Sequence, residues 1–159
     1  MSRMLEKILV CLDGSELAEA ILPLVTDLAK RLGSEVVLLR VLVKPTWLSG
    51  LGETEIEPKQ SIEVSEREVN VDSYLERVAT LLWEKELDVE CATVEGPIGE
   101  SIVAFAKTNE VSLIALATHG YGRFGKLVLG SVADFVLRKS RIPVLSISLG
   151  NTSVRHPEV

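Results

Sequence analysis

Apolar residues along this chain change repeatedly between continuous runs and helical spacing. Lys7 to Leu12 (KILVCL) is an apolar run of strand length, and the Asp13-Gly14-Ser15 that follows is a turn and helix-start signal. Leu17, Ile21, Val25, Leu28 and Leu32 then recur at helical spacing, and Gly33 supplies the C-terminal stop. Glu35 to Leu42 (EVVLLRVL) predicts a second strand. Val71, Leu75, Val78 and Leu82 predict a second helix, and Asp88 to Val94 a third strand. Pro97 sits where a helix can begin, and Ile102, Phe105 and Ala106 give that helix an apolar face. Leu113 to Ala117 is a fourth strand. Val132, Phe135 and Val136 mark a fourth helix that ends before Pro143, and Val144 to Ile147 is the fifth strand.

Strands alternating with helices imply crossover connections and an open parallel sheet with helices on both faces. The winding of such a five-stranded sheet reverses beside the first strand, which gives the order 3-2-1-4-5. Ligands of these sheets bind beyond the carboxyl ends of the strands, at the reversal. The residues there are Asp13 and the stretch from Thr118 to Gly125. One domain is expected over 1–149, with a loose tail over 150–159. Residues 43–68, with Pro45, Gly50, Gly52, Pro58 and six glutamates, are expected to form a flexible acidic loop.

Composition narrows the class. The 159 residues are 47% hydrophobic, as expected when strands are buried on both faces. No apolar run is long enough to cross a bilayer as a helix. Arg3, Glu6 and Lys7 leave no room for the apolar stretch of a signal peptide, so a cytoplasmic protein is expected. A net charge of −6 argues against a nucleic-acid surface. The cluster Arg138, Lys139 and Arg141 reads as cations at a helix C-terminus. Cys11 and Cys91 lack metal or redox spacing and read as buried small hydrophobes.

Three phosphate-binding patterns compete for the loop after the fourth strand. Gly120, Gly122 and Gly125 fit G-x-G-x-x-G, but the fifth strand ends at Ser148 with no acidic residue for a ribose and no second half. Gly120, Gly125 and Lys126 fit most of a P-loop, yet Leu127 replaces the magnesium-binding hydroxyl. The third pattern, G-x2-G-x9-G-[ST], is met by Gly120, nine intervening residues, Gly130 and Ser131. With ILVCLDGSELAEA near the start and GSVADFVLRKSRIPVLSI near the end, it makes the chain resemble the ATP-binding universal stress proteins, the UspA-like family. Ala117 stands where that pattern has its first glycine, and Cys11 where many relatives have proline.

The resemblance implies a Rossmann-like, adenine nucleotide alpha hydrolase-like fold, and a stress-response sensor or regulator that binds ATP, with Mg2+. By the same resemblance the ATP site comprises Cys11, Asp13, Val41, Ala117, His119, Gly120, Gly122, Arg123, Gly130, Ser131 and Val132. Asp13 would meet the adenosine, Val41 would frame the adenine, and Gly120, Gly130 and Ser131 would surround the phosphates. A helix N-terminus with glycine backbone suits that anion. Asp13 also reads as the N-cap of the first helix, with Glu16 three residues on, and Ser131 as the N-cap of the fourth. No Ser-His-Asp or Cys-His set accompanies His119, so no catalytic residue is assigned and at most slow ATP hydrolysis is expected. The family commonly dimerises through its last strand, which implies a homodimer here. A slow ATPase or phosphotransferase, and a nucleotide-free interaction module, are the alternatives.

Overall fold

The structure is a computed structural model that describes residues 5–43, 58–118, 120–121, 127–128 and 130–149. Its elements run β1 (Lys7–Leu12), α1 (Glu16–Glu19), α2 (Leu22–Leu32), β2 (Glu35–Leu42), α3 (Pro58–Trp83), β3 (Val89–Glu95), α4 (Ile98–Thr108) and β4 (Leu113–Thr118). There follow two short strands, β5 (Gly120–Tyr121) and β6 (Leu127–Val128), then α5 (Ser131–Lys139) and β7 (Val144–Ser148).

Five parallel strands form one sheet in the order β3-β2-β1-β4-β7, the expected 3-2-1-4-5 with β7 as fifth strand. The continuous apolar runs follow from burial on both faces. In β1, Ile8, Val10 and Leu12 face one core with Val25, Ala29, Leu75 and Val78 of α2 and α3. Leu9 faces a second core with Ile102, Ala106, Ala133 and Val136 of α4 and α5. The alternation repeats in β2, where Val36 and Leu38 enter the first core and Val37 and Leu39 the second. Its continuation at the strand end sends Val41 toward α4 and α5, and Arg40 and Leu42 toward α3.

Two helices differ from the expected ones. The first is broken into α1 and α2, because Pro23, in the first turn of α2, has no N–H to donate and its ring would clash with the preceding turn. α3 starts at Pro58, so 58–68 is helix where a loop was expected. Lys59, Gln60, Glu63, Glu66, Arg67 and Glu68 are strong helix formers, and Pro is tolerated in a first helical turn. Apolar periodicity is sparse there, which is why the pattern hid it. Residues 44–57 and 150–159 lie outside the described residues.

Helix ends follow the usual chemistry. Gly33 closes α2 with a left-handed φ of 65°, its N–H donating to the Ala29 carbonyl. Arg138 and Lys139 do fall in the last turn of α5, as their sequence position suggested. Cys91 is exposed on the outer strand β3 rather than buried. Among the described residues no helix is long and apolar enough to cross a membrane.

Candidate functional site

β1 and β4 are neighbours whose chains leave in opposite directions around the sheet, so a crevice opens beyond their carboxyl ends. There lies a cleft of about 250 Å³ between those strand ends and the start of α5. Of the eleven residues expected at the site, seven line it: Cys11, Asp13, Val41, Ala117, Gly130, Ser131 and Val132. They come from four separate stretches of chain. Gly120 is placed in β5, which pairs antiparallel with β6, Gly120 opposite Val128. His119, Gly122 and Arg123 lie outside the described residues.

The β5–β6 pairing explains the spacing of the glycine pattern. Nine residues separate Gly120 from Gly130, and they include Tyr121 of β5 and both residues of β6. Gly130 therefore follows two residues after the strand partner of Gly120.

Asp13 is oriented by the turn it begins. Its Oδ1 accepts from the Ser15 N–H at 2.9 Å and from the Ser15 hydroxyl at 2.5 Å. The N-cap of α1 is Ser15, whose hydroxyl accepts from the Ala18 N–H at 3.1 Å. Ser15 is a better fit than Asp13 because it directly precedes the helix, which frees the carboxylate for the cleft. Partial burial alone would raise the Asp13 pKa; the Ser15 hydrogen bonds and the Arg40 guanidinium outweigh it and hold the carboxyl below its ordinary 3.8. A lowered pKa means that the turn gains support from the ionised form. That support is complete above pH 3.8 and is lost as pH falls through the lowered value. Side-chain NMR of Asp13 should accordingly show a midpoint below 3.8, with the Ser15 amide titrating alongside. A midpoint above that value contradicts the geometry.

Ser131 is not the N-cap of α5 either. Gly130 holds that position, with φ −53° and ψ 155°, and no side chain bonds the first turn. The helix start thus lacks a side-chain cap, and Gly130, Ser131 and Val132 at that start line the cleft. A Cβ placed on Gly130 would meet no atom of the described residues within 4 Å. Its φ suits any residue, so neither the backbone nor packing among the described residues demands glycine. The cleft gains free space at the helix start, where an anion would be held by N–H groups.

The opposite part of the cleft is apolar. Leu17, Leu39, Ile98, Ile102 and Leu116 line it beside Val41 and Cys11. Sequence reading passed over these five, because an apolar residue facing a ligand has the same signature as one facing the core. Burial pushes the Cys11 thiol up to about 12, so it stays a neutral wall and not a nucleophile. An apolar wall, one carboxylate and a helix start without a side-chain cap suit an apolar ring system joined to an anion.

The chain belongs to the universal stress protein family, whose model matches residues 4–148. It is 30% identical over 169 aligned positions to the universal stress protein MJ0577 of Methanocaldococcus jannaschii, spanning 96% of this chain and 100% of that one. The solved structure of MJ0577 superposes with a TM-score of 0.77 over 94% of this chain and 99% of its own, at 28% identity. Two further solved universal stress proteins share the fold. One, in complex with cAMP, has a TM-score of 0.65 at 17% identity and covers 91% of this chain and 97% of its own. The other, from Archaeoglobus fulgidus in complex with dAMP, has a TM-score of 0.61 at 22% identity and covers 91% and 99%.

Proposed function

We propose that this protein binds ATP in the cleft between β1, β4 and α5 and works as a sensor or regulator of the stress response. The observation that carries the reading is the convergence of Asp13, Val41 and the unobstructed Gly130-Ser131 helix start on one cleft. An adenine would lie on the apolar wall beside Val41. Asp13 would accept hydrogen bonds from the ribose hydroxyls or the adenine amino group. The phosphates would sit at Gly130 and Ser131, with the first N–H groups of α5. The cAMP and dAMP complexes are of the same fold and hold adenine nucleotides, which agrees with this reading without carrying it. No group of three metal-ligating side chains occurs among the described residues. Mg2+ would therefore arrive with the nucleotide, held by the phosphates and at most the Ser131 hydroxyl. Localisation is cytoplasmic in this reading, and two copies associate through β7.

The test is mass spectrometry of freshly purified, gently denatured protein. ATP released in near-stoichiometric amount supports the reading. A ligand-free chain that also ignores added ATP favours the interaction-module alternative, with the Ala117 methyl narrowing the ribose approach. Turnover separates sensor from enzyme. Bound ATP is expected to persist for minutes or longer, since no general base is placed beside Gly130 among the described residues. Hydrolysis at an ordinary enzyme rate of about 10 per second would establish the enzyme instead.

A further inference from the structure

Asp13 is shared by two clefts. Besides the nucleotide cleft, one of about 350 Å³ opens toward α3, lined by Asp13, Gly14, Arg40, Leu42, Asn70, Val71 and Tyr74. Arg40 pairs in register with Leu12, so it stands level with the residue before Asp13. Its guanidinium lies over the Tyr74 ring, 5.9 Å from the centroid. The same ring holds the Arg77 guanidinium at 5.3 Å, and Arg77 donates to the Glu19 carboxylate at 2.9 Å. Arg77 thus braces on Glu19, whereas the Arg40 guanidinium lies against the Gly14 turn.

Gly14 shows what Arg40 does instead. Its φ of +88° lies in the left-handed region, and a Cβ there would come within 2.7 Å of Arg40 Nη1. The guanidinium occupies the volume a side chain at Gly14 would take, one residue after Asp13. It also acts electrostatically on the Asp13 carboxylate. A carboxylate beside nucleotide phosphates is otherwise unfavourable, because like charges within a Debye length of about 8 Å repel. A guanidinium stays charged at every relevant pH.

We propose that Arg40 is a positioning residue of the nucleotide site: braced between Tyr74 and the Gly14 backbone, it fixes the Asp13 turn and offsets its charge, so that a carboxylate and nucleotide phosphates share one cleft. The inference rests on the ATP reading and adds to it a requirement that depends on ligand charge. Arg40 acts on adenosine only through the geometry of Asp13, but on ATP through geometry and charge together. A side chain that merely packed would affect both ligands alike.

The experiment measures ATP and adenosine affinities of wild type, Arg40→Gln and Arg40→Lys by calorimetry, with the Asp13 side-chain titration followed by NMR in ligand-free protein. Arg40→Gln should weaken ATP roughly fivefold more than adenosine, the size expected of one charge acting across screened solvent. It should also move the Asp13 midpoint upward. Arg40→Lys, which keeps the charge, should restore most of the ATP preference. Should Arg40→Gln fail to fold, Arg40→Met supplies a neutral side chain of similar reach. Equal losses for the two ligands, or an unmoved Asp13 midpoint, overturn the inference while the ATP reading stands. A wild-type protein that binds neither ligand overturns both.

Discussion

Gly130→Val is expected to abolish ATP binding while the protein stays folded. Both halves follow from one observation. At φ −53° and with no atom of the described residues within 4 Å of a Cβ, the position accepts a side chain at little cost to the fold. The same open volume lies at the uncapped start of α5, where the phosphates would approach the backbone N–H groups. Two γ-methyl groups would fill it. The loss should reach about 100-fold or more in affinity, or about 2.7 kcal/mol. Gly130→Ala, with a single methyl, should lose less. Titration calorimetry reads the affinities, and an unchanged melting temperature shows that only the ligand has been displaced. Undiminished binding by the valine variant would move the phosphates away from α5.

Ser146→Pro is expected to convert a dimer into monomers, and the register explains why residue 146 is the place for it. The Ile114 N–H donates to the Pro143 carbonyl at 3.0 Å, and the Leu149 N–H to the Thr118 carbonyl at 3.0 Å. Parallel pairing alternates, so the N–H groups of Leu145, Ile147 and Leu149 face β4, and those of Val144, Ser146 and Ser148 face the open edge. Proline at 145 would break the sheet itself, since Leu145 also packs on the core. Proline at 146 removes only a donor from the free edge and is tolerated on an edge strand. An unpaired edge of half-buried residues invites a second copy, which would close a two-fold interface. Light scattering should give twice the chain mass for wild type and the single mass for Ser146→Pro. A variant that remains dimeric places the interface elsewhere.

The sheet was legible because its strands are buried on both sides. KILVCL, EVVLLRVL and LIALA are continuous apolar runs, and β1 and β2 begin and end where those runs do. The order of the strands came from handedness and reversal, which require few residue details. What escaped was set by local competition. Pro23 was visible in the sequence, yet the apolar spacing through Leu17, Ile21 and Val25 concealed its break. Asp13 and Ser15 both qualified as caps, and only the position of the first turn decides for Ser15. The first half of α3 has helix-forming residues with few apolar ones, so it reads as an acidic loop. In the cleft lining, Asp13, Gly130 and Ser131 stand out in the sequence because a carboxylate after a strand and a Gly-Ser before a helix are distinctive. Leu39, Ile98 and Ile102 do not, because nothing in a leucine distinguishes a pocket wall from a core. Arg40 was also passed over, since its importance depends on a stacking partner 34 positions away.

Backbone amide NMR during an ATP titration shows whether ATP enters this cleft. The largest shifts are predicted at Cys11, Asp13, Val41, Ala117, Gly130, Ser131 and Val132, saturating together at one ligand per chain. Leu81, Trp83 and Glu90, on the far end of α3 and on β3, should not move. Shifts confined to other residues, or none at millimolar ATP, would contradict the account.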